Sequence, residues 1–125
     1  MLARYEIVKS FAFEAAHRLL GYPPGHPNTR LHGHSFRVEV GVAAPRPGVD
    51  GFVLQFDRIE EALKDVKGAL DHHHLNEIEG LEQPTLETIA GWIAERLKAK
   101  LPALSRVSIY RDSVGEACHL TFDGP

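Results

Sequence analysis

The sequence predicts an α+β protein, a ββααββ chain whose antiparallel sheet carries two helices on one face. Three observations carry that expectation. A His-x-His pair leads directly into clean strand alternation, two apolar stripes at helical spacing follow in the middle of the chain, and two short alternating segments close it. Residues 4–15 alternate loosely, with Phe11 and Phe13 on one side, and form a first strand ending at His17. Residues 18–31 hold Pro23, Pro24, Gly25 and Pro27 and read as a rigid loop. Phe36-Arg37-Val38-Glu39-Val40-Gly41-Val42 is a half-buried strand with its apolar side chains at even positions. If it runs unbroken back to His32, its metal face and its core face coincide.

Residues 44–51 form a turn region, followed by a short apolar run, Phe52–Phe56. Asp57 is expected to cap a first helix, with Glu60 three residues on and Ile59, Leu63, Val66 and Leu70 as its buried stripe. A second helix begins near Thr85, after Pro84. Leu86, Ile89, Ile93 and Leu97 form its apolar face, Trp92 lies beside them, and Pro102 ends it. Strands at about 105–111 and 117–122 complete the order.

A chain of 125 residues with 43% hydrophobic side chains is read as one domain spanning 1–125. Net charge is −3 and no Lys/Arg block stands out, so nucleic acid is not an expected partner. The N-terminus has no long apolar run, so neither a signal peptide nor a membrane span is expected. The single cysteine, Cys118, forms no internal disulfide and suits a reducing, cytoplasmic setting.

The chemistry centres on His17, which closes Phe13-Glu14-Ala15-Ala16-His17, and on the pair in Leu31-His32-Gly33-His34. Residues two apart on a strand share a face, so His32 and His34 can point at one ion. Three neutral imidazoles suit zinc and leave a fourth position open for water or substrate. A second cluster, Asp71-His72-His73-His74, follows the first helix. Asp beside His supplies an orienting carboxylate and a proton-transfer group. Histidines at a helix C-terminus are also favoured by its dipole, and the run His72–His74 is an alternative metal-binding group.

Phe-x-Ala-Ala-His, Leu-His-Gly-His-Ser-Phe, Leu-Asp-His-His-x-Leu-Asn and Pro-Thr-x-Glu occur here in that order. The chain thereby resembles the 6-pyruvoyl-tetrahydropterin synthase family, especially its bacterial 6-carboxy-tetrahydropterin synthase branch of the queuosine pathway. The resemblance implies the tunnelling fold (T-fold), with trimeric barrels stacked as a homohexamer and sites between subunits. It implies zinc on His17, His32 and His34, and a lyase acting on 7,8-dihydroneopterin triphosphate with loss of triphosphate. Asp71 and His72 match the proton-transfer apparatus, and Thr85 and Glu87 match residues that hold the pterin. Asp112-Ser113 falls on the family's Glu-Thr anchor, with Glu116 as the alternative carboxylate. One position departs from the pattern: the family's cysteine four residues before the His-Gly-His motif is Asn28 here. An amide has no usable basic pKa, so a zinc-containing pterin binder without catalysis is the alternative reading.

Overall fold

The computed structural model describes residues 2–123. Strands β1 (Tyr5–His17) and β2 (His32–Ala44) run antiparallel along their full lengths. Odd positions of β1 and even positions of β2 turn inward, as the alternation requires. The register sets Phe13 against Phe36, whose rings stack at 4.9 Å, and ends with His17 opposite His32. His32, His34, Phe36, Val38, Val40 and Val42 therefore occupy one face, so the metal and core faces do coincide.

Helix α1 (Phe56–Leu70) buries Ile59, Leu63, Val66 and Leu70, the stripe expected for it. Its cap differs from expectation. Gln55 is the N-cap and makes no side-chain capping bond, while Asp57 lies within the first turn. There its carboxylate still favours the positive end of the helix dipole. Next, the chain turns through Asp71 and His72 into a two-residue strand, β3 (His73–His74), which pairs parallel to Ala15 and Ala16 of β1. Two residues are too short to show a period, so the sequence held no signal for this strand.

Helix α2 (Leu86–Leu97) is capped by Thr85, whose hydroxyl accepts from the Thr88 N–H at 3.1 Å. The regular helix stops at Leu97, short of Pro102, and a turn closed by Leu101 N–H to the Leu97 carbonyl bridges the gap. Strands β4 (Leu104–Arg111) and β5 (Glu116–Thr121) complete a five-stranded sheet in the order β3-β1-β2-β4-β5. Both helices pack on one face, where Phe13, Phe36, Leu70, Leu75, Ile89, Ile93 and Ile109 share a single core.

The opposite face is polar. Arg106 bridges Glu6 and Glu39, and the Tyr110 hydroxyl donates to Glu39 at 2.8 Å. Arg37 lies over the Tyr110 ring at 3.8 Å and joins Glu39 to Asp112. Gly41 makes room for this network: a Cβ there would meet Glu6 Oε2 at 2.7 Å. The β2–β4 register also shifts between Gly41 and Val42.

Candidate active site

His17, His32 and His34 form the one group of potential metal ligands among the described residues, their ligand atoms within 4.8 Å of one another. Strand register assembles it. His17 is fully buried, and its Nδ1 lies 3.3 Å from the Pro84 carbonyl, just ahead of α2. His32 Nδ1 lies 2.7 Å from the Arg30 carbonyl. A carbonyl only accepts, so each Nδ1 carries the proton and donates, which leaves each Nε2 with a lone pair. Those two Nε2 atoms face one another at 3.1 Å. Opposed lone pairs repel unless a cation lies between them. Backbone carbonyls fixing the outer ring nitrogen are the usual support of metal-ligating histidine. The donor set therefore fits a divalent metal with nitrogen ligands, zinc included.

The electrostatics agree. Burial, then the neighbouring His32, His34 and Arg111, lowers the His17 pKa from 6.5 to about 4. Burial and His32 likewise lower that of His34. Both rings are thus held in the neutral, ligating form near pH 7.

An open cleft of about 670 Å³ lies beside the cluster, lined by His34, Ser35, Glu14, His72, His74 and Ser113 among others. Asp71 is held by the Glu14 N–H at 2.9 Å, and its Oδ1 takes the His72 Nδ1 proton at 3.0 Å. The Glu14 amide and then His72 keep the Asp71 carboxyl below its ordinary pKa. His72 is the only non-glycine described residue with positive φ, at 59°. Such a backbone costs free energy and is concentrated at functional sites. Its side chain is 79% exposed, with Nε2 directed away from Asp71.

The sequence-predicted residues are only partly brought together. β1 lies between β2 and β3, so His34 and His73 flank Ala15 from opposite sides. No hydrogen bond joins the Asp71–His72 pair to the three histidines among the described residues. Thr85 caps α2, and the carbonyl of its neighbour Pro84 steadies His17. Glu87 does not line the cleft. It borders a shallow depression with Gly80 and Trp92, and its charge raises the pKa of Cys118 after burial has done so. The expectation for Asp112 needs correction. Both its oxygens accept from Arg37, at 2.9 and 3.2 Å, on the face away from the helices. Its neighbours differ: Ser113 lines the cleft, and Arg111 points to the histidine face. Strand β4 ends at Arg111, and Asp112 opens a short helical turn, Asp112–Val114, that sends its carboxylate to Arg37. Asn28 lies in a short turn that follows His26, its carbonyl accepting from Leu19 N–H at 2.8 Å. Sequence reasoning missed the two backbone carbonyls and Arg111. Only Arg111 left a signal, being in phase with Val107 and Ile109.

Fold and site together define an α+β protein with a three-histidine metal-ligand cluster at the end of a β-hairpin. The chain belongs to the 6-pyruvoyl tetrahydropterin synthase family, whose model matches residues 6–121. It is 44% identical over 111 residues to a 6-carboxy-5,6,7,8-tetrahydropterin synthase of Synechocystis, covering 82% of this chain and 83% of that protein. It is 39% identical over 83 residues to a dihydroneopterin monophosphate aldolase of Pyrococcus furiosus, covering 64% of this chain and 69% of that protein. The 6-pyruvoyl tetrahydropterin synthase of Caenorhabditis elegans superposes with a TM-score of 0.84 at 20% identity, covering 98% of each chain. The fold is therefore the T-fold of that family.

Proposed function

We propose that this chain is a zinc-dependent lyase that acts on the side chain of 7,8-dihydroneopterin triphosphate, releasing triphosphate. The observation that carries the proposal is the pair of Nε2 lone pairs 3.1 Å apart, each with its Nδ1 fixed by a backbone carbonyl. His17, His32 and His34 would hold the metal, which when bound supplies Lewis acidity toward side-chain oxygens. Asp71 fixes the His72 ring and leaves Nε2 free to take or give a proton. In the shared-site assembly that the family resemblance implies, the Asp71–His72 pair meets the metal cluster of another subunit, with Thr85 and Glu87 holding the pterin. Asn28 can orient a substrate oxygen but cannot remove a proton.

A second reading is favoured by Asn28 and by the aldolase relative: the site cleaves the carbon side chain instead of rearranging it. Incubating the zinc-loaded protein with dihydroneopterin triphosphate and identifying the products by mass spectrometry separates the readings. Free triphosphate with a reduced pterin supports the lyase. A two-carbon aldehyde with triphosphate retained supports side-chain cleavage. Binding without turnover leaves a zinc-containing pterin binder, and absence of binding sinks all three.

A further inference from the structure

Next to the histidine cluster lies a cation that the scheme above does not use. Arg111 ends β4 in phase with the buried Val107 and Ile109, on the face that carries His34 and Phe36. Its side chain is only 12% exposed, and Nη2 donates to Glu116 Oε1 at 2.8 Å. Glu116 is its direct cross-strand partner, so the sheet register itself sets the pair. Arg111 Nε is nevertheless buried and has no hydrogen-bond partner. A guanidinium stays charged at any ordinary pH, and its N–H groups only donate. A buried donor left unpaired is costly, so the guanidinium is under-satisfied by this chain, and the 12% of the side chain that is exposed is where an outside acceptor can meet it.

The surroundings indicate which acceptor. The positive charge of Arg111 reaches both His17 and His34, and the Glu116 carboxylate opposes it at His34. Three neutral imidazoles holding a divalent ion, with the balanced Arg111–Glu116 pair beside them, make the histidine cluster itself positive, while the Glu14 carboxylate stands in the adjoining cleft. Such a site favours an anionic ligand. The donor edge of a pterin ring offers N–H groups, which a guanidinium cannot accept. A phosphoryl oxygen matches both the charge and the donor.

Resting on the proposed pterin reading, we propose that Arg111, held in place by Glu116, is the phosphate-recognition residue of this site, the open edge of its guanidinium donating to a phosphoryl oxygen of the substrate side chain. Glu116 is a positioning residue, orienting the guanidinium through Nη2. The same chemistry would take free triphosphate after release, so the two sources need separate measurements.

The test uses the zinc-loaded protein, with inorganic triphosphate as the first probe in calorimetric titration. Arg111→Met is expected to weaken binding about tenfold to hundredfold, while zinc content per chain, measured by elemental analysis, stays that of the parent. Arg111→Lys should recover part of the loss, because it restores the charge without the planar fork. The second arm compares KM for dihydroneopterin and for its triphosphate. Arg111→Met should shrink the preference for the phosphorylated compound severalfold, identifying substrate phosphate as the group bound. Equal triphosphate affinity in the parent and both variants overturns the proposal, and so does loss of affinity that Arg111→Lys does not recover at unchanged zinc content. If Arg111→Met does not fold, Arg111→Lys and Glu116→Gln carry the same titration, each expected to be weaker than the parent. Triphosphate binding that depends on Arg111 without pterin turnover would sustain this assignment while removing the lyase reading.

Discussion

At the scale of single residues, the three histidines do two jobs that pull against one another. They must stay unprotonated to bind metal, yet His17 is buried where a charge is costly. Its pKa is about 4 in the folded chain and 6.5 when free, so between those values the unfolded chain binds the proton first. Stability is then greater above pH 6.5 and is lost as pH falls toward 4. In chelator-treated protein we expect the unfolding free energy, read from urea titrations, to drop across that window by on the order of 3 kcal/mol in total. A flat profile would mean that His17 opens to solvent without its metal. Replacing His34 by Ala should bring metal content from about one ion per chain to near zero while the fold persists, since His34 is only partly buried. Retained metal in that variant would point to His72–His74 as the ligands. Asn28 is the third informative position. Asn28→Cys restores a thiol in the turn that leads into His32, and a cation close to a thiol lowers its pKa. We expect a gain in triphosphate release of ~10²–10⁴-fold, the usual scale of a general base, with metal content unchanged. No gain, together with loss of a robust parental activity in His72→Ala, would assign the base to His72 alone.

Elements fix where those residues stand. The chain leaving β1 is clamped by two side-chain amides that imitate a missing strand. Asn76 accepts from Arg18 N–H at 2.9 Å and donates to the Arg18 carbonyl at 2.8 Å. Gln83 does the same for Leu20, at 2.8 and 2.7 Å. These clamps tie the residues after His17 to the segment that leads into Pro84 and α2, so both supports of His17 move together. Asn76→Ala should cost about 1 kcal/mol of stability and weaken metal affinity measurably, read by chelator competition. Unchanged metal affinity would show that the β1–β2 register holds His17 without help. The left-handed backbone of His72 belongs to this scale too: it swings the chain from the end of α1 back onto β1, where His72 N–H donates to the Glu14 carbonyl at 2.6 Å.

For the whole molecule, the sheet ends in two open edges, β3 at one side and β5 at the other. Tyr5, Phe52 and Phe56 are exposed apolar side chains on this one chain. Unpaired edges invite pairing, and closing them into a barrel removes the hazard. The proposed dimer of trimers predicts a particle of six chains of 13.9 kDa by light scattering. A monodisperse monomer with full turnover would contradict a site shared between subunits.

By itself the sequence determined the order of the main elements, the core stripes and the three candidate metal ligands, because these follow from periods of two and 3.6 that any short window displays. His32, His34 and Phe36 through Val42 announce their common face in this way. Only the tertiary structure decided the rest. Strand β3 is too short to have a period, and its place depends on Asp71 and His72 folding back onto β1. The Pro84 and Arg30 carbonyls that orient His17 and His32 are backbone groups, invisible in side-chain chemistry. Arg111, not Asp112, faces the histidines, because the β2–β4 register decides which residues at the end of β4 share the face of His34, and the chain leaves the strand at Asp112.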